Sequence, residues 1–142
     1  MSKVAFVLRG KSNSGKSGTI RTVYDNLLSD GAVPEMPFTP IGWKIDFYAL
    51  VILRGARIGI LSRGDEAGQV TFYLSTLLAK RCSIIVCATR TGGGTVSAVE
   101  NLCSDFHVKT IDQVRHGPSF QLAGNLAMAN CISARVGDAA DA

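Results

Sequence analysis

The stretch VAFVLRGKSNSGKS, Val4 to Ser17, joins an apolar run to a loop of glycine, serine and lysine. Its first half has the continuous apolar character of a buried strand. After the loop, apolar residues recur at helical spacing, namely Ile20, Val23, Tyr24, Leu27 and Leu28. Gly31 stands where a helix would end. The stretch therefore predicts strand, loop and helix in succession.

The loop GKSNSGKS, Gly10 to Ser17, carries the residue types that a phosphate chain needs. Gly10 and Gly15 let the backbone curl so that several N–H groups point inward, and the helix that follows adds the positive end of its dipole. Lys16 is expected to bridge the terminal phosphates, a catalytic role, and the Ser17 hydroxyl to bind Mg²⁺. The residues expected to hold the phosphates are Gly10, Lys11, Ser12, Asn13, Ser14, Gly15, Lys16, Ser17 and Gly18.

These eight loop residues match the pattern GxxxxGK[ST] without a mismatch, and here the chain resembles the P-loop NTPase superfamily. The resemblance implies a nucleoside triphosphate as ligand, with Mg²⁺ as its metal. It is specific over about residues 4 to 28 and weaker over residues 46 to 69.

The rest of the chain alternates strand and helix patterns. The apolar runs DFYALVIL and ARIGIL flank Arg54 and Gly55, which predicts an antiparallel hairpin, and SIIVCA reads as a strand buried on both faces of a parallel sheet. Residues 32 to 44 contain three prolines, which predicts a long loop without regular structure. We expect an α/β fold of P-loop NTPase type: a mostly parallel five-stranded sheet with one antiparallel hairpin strand and helices on both faces.

Length and composition predict one domain. The chain has 142 residues, of which 46% are hydrophobic, so residues 1–136 are expected to form a single nucleotide-binding domain and residues 137–142 a frayed tail. The apolar runs are too short to cross a bilayer and the amino end lacks a cleavable leader pattern, which predicts a cytoplasmic protein without a membrane partner. The four cysteines form no CxxC pair and are expected to be buried, reduced thiols.

Ligands of such sheets bind at the carboxyl ends of the parallel strands, which here are the turns near Gly10, Ser62, Thr89 and Asp112. These turns contain Arg63, Arg90, Arg115 and His116. Arg90, in the glycine-rich turn TRTGGGT, is a candidate catalytic residue that would stabilise phosphate charge or hold an acidic acceptor. A flexible turn with a solvated arginine is the alternative interpretation.

A second acidic ligand for the metal is expected after the strand ARIGIL, where Asp65 is the candidate. The segment DEAGQ looks like the DxxGQ of Ras-like GTPases, and that resemblance implies that Asp65 reaches the magnesium, Gly68 contacts the γ-phosphate and Gln69 orients the attacking water. Asp46 is the competing carboxylate. Thr39, in the proline-rich loop, is a candidate switch threonine near the metal.

The nucleotide base is less well defined by the sequence. Guanine-specific relatives carry NKxD after a later strand, where this chain reads CATRTGGG. ATP is therefore the expected nucleotide and GTP the less expected one. The net charge of +4 is spread along the chain, so a nucleic-acid partner is not expected.

Three functions fit these patterns. The first is Mg²⁺-dependent hydrolysis of a nucleoside triphosphate. The second is a kinase that passes the γ-phosphate to a small acceptor, which the short chain disfavours because it leaves little room for an acceptor subdomain. The third is a nucleotide-binding module without turnover that acts through a protein partner or a homo-oligomer.

Overall fold

The structure of the protein, a computed structural model, describes residues 3–11, 14–42, 46–114, 117 and 119–142. The elements follow in the order β1 (Val4–Arg9), α1 (Lys16–Ser29), β2 (Val33–Pro40), β3 (Phe47–Leu53), β4 (Ala56–Leu61), α2 (Ala67–Leu78), β5 (Ile84–Thr89), α3 (Gly94–Leu102), β6 (His107–Asp112) and α4 (Gln121–Asp141). The predicted succession of strand, loop and helix at the amino end is confirmed. Gly31 follows α1 with a φ of 103°, a backbone conformation that favours glycine.

The described strands form one six-stranded sheet in the order β2-β3-β4-β5-β1-β6. β1 is parallel to β5 and β6, and β4 is parallel to β5. β3 is antiparallel to both of its neighbours, β2 and β4. The α/β class is confirmed, but the sheet is mixed and has six strands, whereas the sequence predicts five strands in a mostly parallel arrangement.

The additional strand is β2, in the segment whose prolines predict a loop. β2 lies at the edge of the sheet, where a residue without an N–H can point its nitrogen away from the ladder. Its pairing with β3 shifts register between Pro34 and Met36 and again between Met36 and Thr39, which is how the strand accommodates Pro37. The prediction of an irregular loop is therefore wrong, because proline excludes a central strand but not an edge strand.

The predicted hairpin between β3 and β4 is confirmed. Leu53 and Ala56 are the last paired residues, and Arg54 and Gly55 between them have φ values of 47° and 86°. Two consecutive residues with positive φ form the tight turn whose twist matches that of an antiparallel ribbon.

Helices cover both faces of the sheet, as predicted. Along β1, Val4, Phe6 and Leu8 belong to the core that contains residues of α1 and α4, whereas Ala5 and Val7 belong to the core that contains residues of α2 and α3. The alternation is that of a strand buried on both faces. A fully buried side chain such as Phe6 contributes about 1.5–3 kcal/mol to folding.

The carboxyl end of the chain is helical rather than frayed. α4 continues to Asp141, Ala140 is 5% exposed, and Asp141 forms an ion pair with Arg54 of the hairpin turn. The predicted tail at residues 137–142 is thus not seen, because an apolar contact and a charge pair hold the last turn of α4 against the body of the protein. No described helix, α4 included, is both long and apolar enough to cross a membrane.

The strand order also determines which turns meet. The carboxyl ends of β1, β4, β5 and β6 lie at one edge of the sheet, because these strands run in the same direction. β5 lies between β1 and β4, so the strand that precedes Asp65 is not the immediate neighbour of the strand that precedes the loop at Gly10. A carboxylate after β4 must therefore reach across the end of β5.

Candidate functional site

The described residues of the loop between β1 and α1 pack closely against their neighbours. The Gly10 N–H donates to the Thr89 carbonyl at 3.1 Å, which extends the pairing of β1 with β5 by one residue. A Cβ added to Gly10 would lie 2.7 Å from Ser14 Oγ, so this position has no room for a side chain. Gly15, at the start of α1, has a φ of 99°. Gly15 thus has the backbone conformation that favours glycine, and Gly10 is closely packed against Ser14, while Ser12 and Asn13 lie outside the described residues.

Lys16 lies over this loop and is 5% exposed. Its Nζ donates to the carbonyl oxygens of Gly10 and Lys11, the second at 3.1 Å, and lies 3.2 Å from Asp65 Oδ1. A buried ammonium group needs such partners because desolvation of an unpaired charge is costly. The ammonium group is therefore held where the loop, the start of α1 and the turn after β4 meet.

The two candidate carboxylates contact different residues. The Ser17 hydroxyl donates to Asp46 Oδ1 at 2.5 Å, whereas Asp65 contacts Lys16. Among the described residues the structure thus brings Ser17 together with Asp46, the competing carboxylate, and not with Asp65, with which the sequence pairs it. The reason is topological, since Asp46 immediately precedes β3 and lies at the same edge of the sheet as Ser62 at the end of β4.

Asp46 is the more strongly enclosed of the two carboxylates. Its side chain is 17% exposed, compared with 51% for Asp65. The Ser62 hydroxyl donates to Asp46 Oδ1 at 3.1 Å and accepts from the Phe47 N–H at 2.9 Å, and Arg63 Nη1 lies 3.6 Å from Asp46 Oδ2. Arg63 thus neutralises Asp46 from the side away from Ser17, which fixes the carboxylate in place.

Gly64 explains how Asp65 crosses the end of β5. A Cβ added to Gly64 would lie 2.3 Å from the Ala88 carbonyl oxygen and 2.8 Å from Ala88 Cβ. The turn after β4 therefore lies directly on the last residues of β5, at a distance that only glycine allows. This close approach carries Asp65 towards Lys16.

The described hydrogen bonds do not link the other predicted site residues to Lys16 or Ser17. The backbone N–H of Arg90 donates to Thr95 Oγ1 at 3.0 Å, and its side chain is exposed. Gln69 lies in the first turn of α2, and its Oε1 is buried without a hydrogen bond among the described residues. The Thr39 hydroxyl donates to the Pro37 carbonyl in the edge strand at 2.8 Å, so the described contacts do not link Thr39 to Ser17. Arg115 and His116 lie outside the described residues.

A buried network of amide side chains supports the loop from behind, and the sequence does not predict it. The Thr19 hydroxyl donates to Gln113 Oε1 at 2.9 Å, and Gln113 Nε2 donates to Asn125 Oδ1 at 3.0 Å. Gln121 Nε2 also donates to Asn125 Oδ1, at 2.7 Å. A Cβ added to Gly15 would lie 2.8 Å from Asn125 Oδ1. The loop thus rests on α4 through positions that must lack side chains.

Two signals in the sequence point to this network. Gln113 follows β6 directly, at the ligand edge, and Asn125 is a polar residue on the face of α4 that buries Ala129, Ile132 and Val136. Neither signal identifies the partners, because these come from three separate elements of the chain.

Replacement of Asn125 by alanine should lower the free energy of unfolding by about 1–3 kcal/mol, because it removes the largely buried oxygen that accepts hydrogen bonds from both Gln113 and Gln121. Chemical denaturation measures the change. Asn130→Ala is the matched control, since Asn130 lies on the same helix as Asn125. This variant removes an exposed hydrogen bond that Asn26 of α1 donates, and should cost less than about 1 kcal/mol. Equal losses in the two variants would contradict a special role of the network.

The cysteines lie away from this chemistry. Cys82, Cys87 and Cys103 are buried, and burial raises the pKa of Cys82 to about 12 and that of Cys103 to about 11, so these groups remain thiols near neutral pH. Cys131 is exposed on α4, which corrects the expectation that all four cysteines are buried.

Comparisons of the chain with protein-family models, with curated proteins and with solved structures gave no match. The described residues contain no group of three or more histidine, cysteine, aspartate and glutamate side chains that could hold a metal ion.

Proposed function

We propose that the chain binds a Mg²⁺-nucleoside triphosphate, with ATP as the expected nucleotide, and hydrolyses it. The observation that carries this proposal is the convergence of two carboxylates on consecutive residues of one loop: Asp65 on Lys16 and Asp46 on Ser17. An ammonium group and a hydroxyl group at the start of a helix, each facing a carboxylate, provide the charges that a metal-bound polyphosphate requires.

The phosphate groups would lie against the curl of backbone N–H groups between Gly10 and Ser17. The positive end of α1, a helix of 14 residues, adds to their attraction for an anion. Lys16 would exchange its contacts with the Gly10 and Lys11 carbonyl oxygens for phosphate oxygens. The amide network supports the proposal, because it packs against Gly15 and so holds the start of α1 in place before a ligand binds.

The oxygen donors present fit magnesium. Ser17 and Asp46 supply a hydroxyl and a carboxylate, and Mg²⁺ commonly takes one or two carboxylates together with substrate phosphates and water. Asp65, the carboxylate that the sequence favours, would then act on Lys16 or through water. When bound, Mg²⁺ neutralises charge on the terminal phosphates. Ser62 and Arg63 orient Asp46 for this role.

A kinase is the second candidate function. It is favoured by a cavity beside the loop, lined by Lys11, Arg90, Thr91 and Gly92, which could take an anionic acceptor. Gln69 and Arg90 remain candidate catalytic residues, for water and for phosphate charge respectively. A protein partner or a homo-oligomer remains an expectation from the sequence.

The proposal is tested by titrating the full chain with ATP, ADP and GTP, each with and without Mg²⁺, and by following phosphate release. We expect saturable binding of ATP that Mg²⁺ strengthens, weaker binding of GTP, and slow release of phosphate. Tight binding without release would leave the nucleotide-binding module. Formation of ADP without free phosphate, only when a small acceptor is added, would favour the kinase, because the γ-phosphoryl group then stays on the acceptor. Absence of binding to any nucleotide would overturn the proposal.

The two carboxylates can be separated by isosteric variants. Asp46→Asn should weaken the Mg²⁺-dependent part of ATP binding by about tenfold, because it removes the charge that faces Ser17, a loss of about 1.4 kcal/mol. Asp65→Asn is the matched control and should retain the metal dependence. The measurement is the ratio of ATP affinities with and without Mg²⁺ for each variant. If Asp65→Asn loses the Mg²⁺ dependence of ATP binding and Asp46→Asn retains it, Asp65 rather than Asp46 binds the metal.

A further inference from the structure

A cavity of about 510 Å³ lies beside the phosphate loop and is lined by Lys11, Arg90, Thr91 and Gly92. The sheet brings these residues together, since Arg9 at the end of β1 pairs with Thr89 at the end of β5 and the chain leaves both strands at the same edge. The cavity is therefore a product of the β1–β5 pairing rather than of one local loop.

The two cationic residues that line this cavity, Lys11 and Arg90, differ from neighbouring cationic residues in having no acidic partner among the described residues. Arg9 is paired with Asp112 at 2.8 Å, a hydrogen bond that lowers the pKa of Asp112, and Lys16 is paired with Asp65. Lys11 and Arg90 form no side-chain hydrogen bond and no ion pair within the described part of the chain, and no acidic residue lines the cavity. Two cations that face one cavity repel each other, so the arrangement attracts an anion.

The backbone around the cavity is open to a ligand. Gly93 has a φ of 82°, which accounts for glycine there, but Gly92 has neither a positive φ nor any atom within 4 Å of an added Cβ. Neither conformation nor packing requires glycine at position 92. The missing side chain leaves the backbone of this turn accessible from the cavity, while the Thr95 hydroxyl anchors the turn at the Arg90 N–H.

A second cavity, of about 410 Å³, lies next to the first and shares Lys11 and Thr91 with it. It is also lined by Gly10 and Ser14, and its acidic residue, Asp112, is paired with Arg9. The Ser14 hydroxyl is buried and has no hydrogen-bond partner among the described residues. The space beside Lys11 and Arg90 is thus adjacent to the loop that the proposed function assigns to the phosphates.

We propose that Lys11 and Arg90 form a second oxyanion subsite, which binds one phosphate group next to those held by the loop. The inference rests on the proposed function, because it places this group beside a bound nucleotide. The group comes from one of two sources with the same chemistry: the third phosphate of the nucleotide itself, or a separate phosphorylated molecule. Both would be held by bidentate contacts from Arg90 and by the charge of Lys11.

Isothermal titration at constant ionic strength distinguishes the two sources. The full chain and its Arg90→Ala and Lys11→Ala variants are titrated with Mg²⁺-ATP, with Mg²⁺-ADP, and with inorganic phosphate in the presence of saturating Mg²⁺-ADP. Lys80→Ala, which removes an exposed lysine remote from the cavity, is the matched control for charge. Thermal denaturation of each variant checks that the fold is retained.

If the third phosphate occupies the subsite, Arg90→Ala should weaken ATP binding about tenfold and leave ADP binding unchanged. If a separate molecule occupies it, ATP and ADP should bind as to the parent, and phosphate binding to the ADP-loaded protein should weaken about tenfold. Each of these results supports the subsite. Unchanged affinity for all three ligands, or an equal loss in the Lys80→Ala control, overturns it.

Failure of the proposed function gives a different result. In that case the parent chain binds neither ATP nor ADP, and the same variants are titrated with inorganic phosphate alone. Weaker phosphate binding by Arg90→Ala than by the parent would then support the oxyanion subsite even though no nucleotide binds beside it. Equal phosphate binding by the parent and by Arg90→Ala would overturn the subsite as well.

Discussion

Replacement of Lys16 by alanine should weaken ATP binding by about 100-fold or more. The loss corresponds to about 2.7 kcal/mol, which is what one or two hydrogen bonds from a charged group contribute. The ammonium group of Lys16 lies over the loop, in contact with the Gly10 and Lys11 carbonyl oxygens and with Asp65. Isothermal titration with Mg²⁺-ATP measures the effect.

Two further variants make this result specific. Lys16→Met keeps most of the buried aliphatic stem and removes the charge. It should therefore lose ATP binding to a similar extent, while its folded state should be more stable than that of the alanine variant. Lys80→Ala removes a remote charge and should bind ATP like the parent. If Lys16→Met binds ATP as tightly as the parent, the loop is not a phosphate site and the proposed function is wrong.

Replacement of Gly64 by alanine should lower the free energy of unfolding by about 3 kcal/mol, at the upper end of the cost of overpacking. The added Cβ would lie 2.3 Å from the Ala88 carbonyl oxygen, and a backbone atom in a central strand cannot move aside as a flexible side chain can. Denaturation by urea measures the loss. The variant should also bind nucleotide more weakly, because the turn that carries Asp65 would be displaced from Lys16.

Gly68→Ala is the control for this substitution. Gly68 lies in the first turn of α2, and an added Cβ would meet only Glu66 Oε1 at 4.0 Å. Alanine has the higher helix propensity, so this variant should be as stable as the parent or more stable. A Gly64→Ala protein that unfolds at the same urea concentration as Gly68→Ala would show that the turn does not lie against β5 as described.

Local sequence patterns predict much of the fold. The apolar run before Gly10, the helical spacing after it and the Arg54-Gly55 pair each correspond to an element of the structure. The pattern that predicts each of these elements lies within a few consecutive residues. The proline-rich segment is predicted incorrectly because its structure depends on its position at the sheet edge, which is decided by the pairing of β2 with β3.

The candidate site divides in the same way. The positions of Gly10 and Gly15 and the start of α1 all follow from one short stretch of sequence. The partners of the side chains in this stretch cannot be predicted from it. Asp46 contacts Ser17, and Asp65 reaches Lys16 across β5.

Short-range sterics and hydrophobic periodicity depend on residues that are close in the sequence, so their effects can be predicted from the sequence alone. The order of strands in the sheet is a long-range choice, and many registers satisfy the same local pattern. That choice decides which carboxylate faces the Ser17 hydroxyl, which glycine must carry no side chain, and that Lys11 and Arg90 line one cavity. Each of these arrangements joins segments that only the folded sheet brings together.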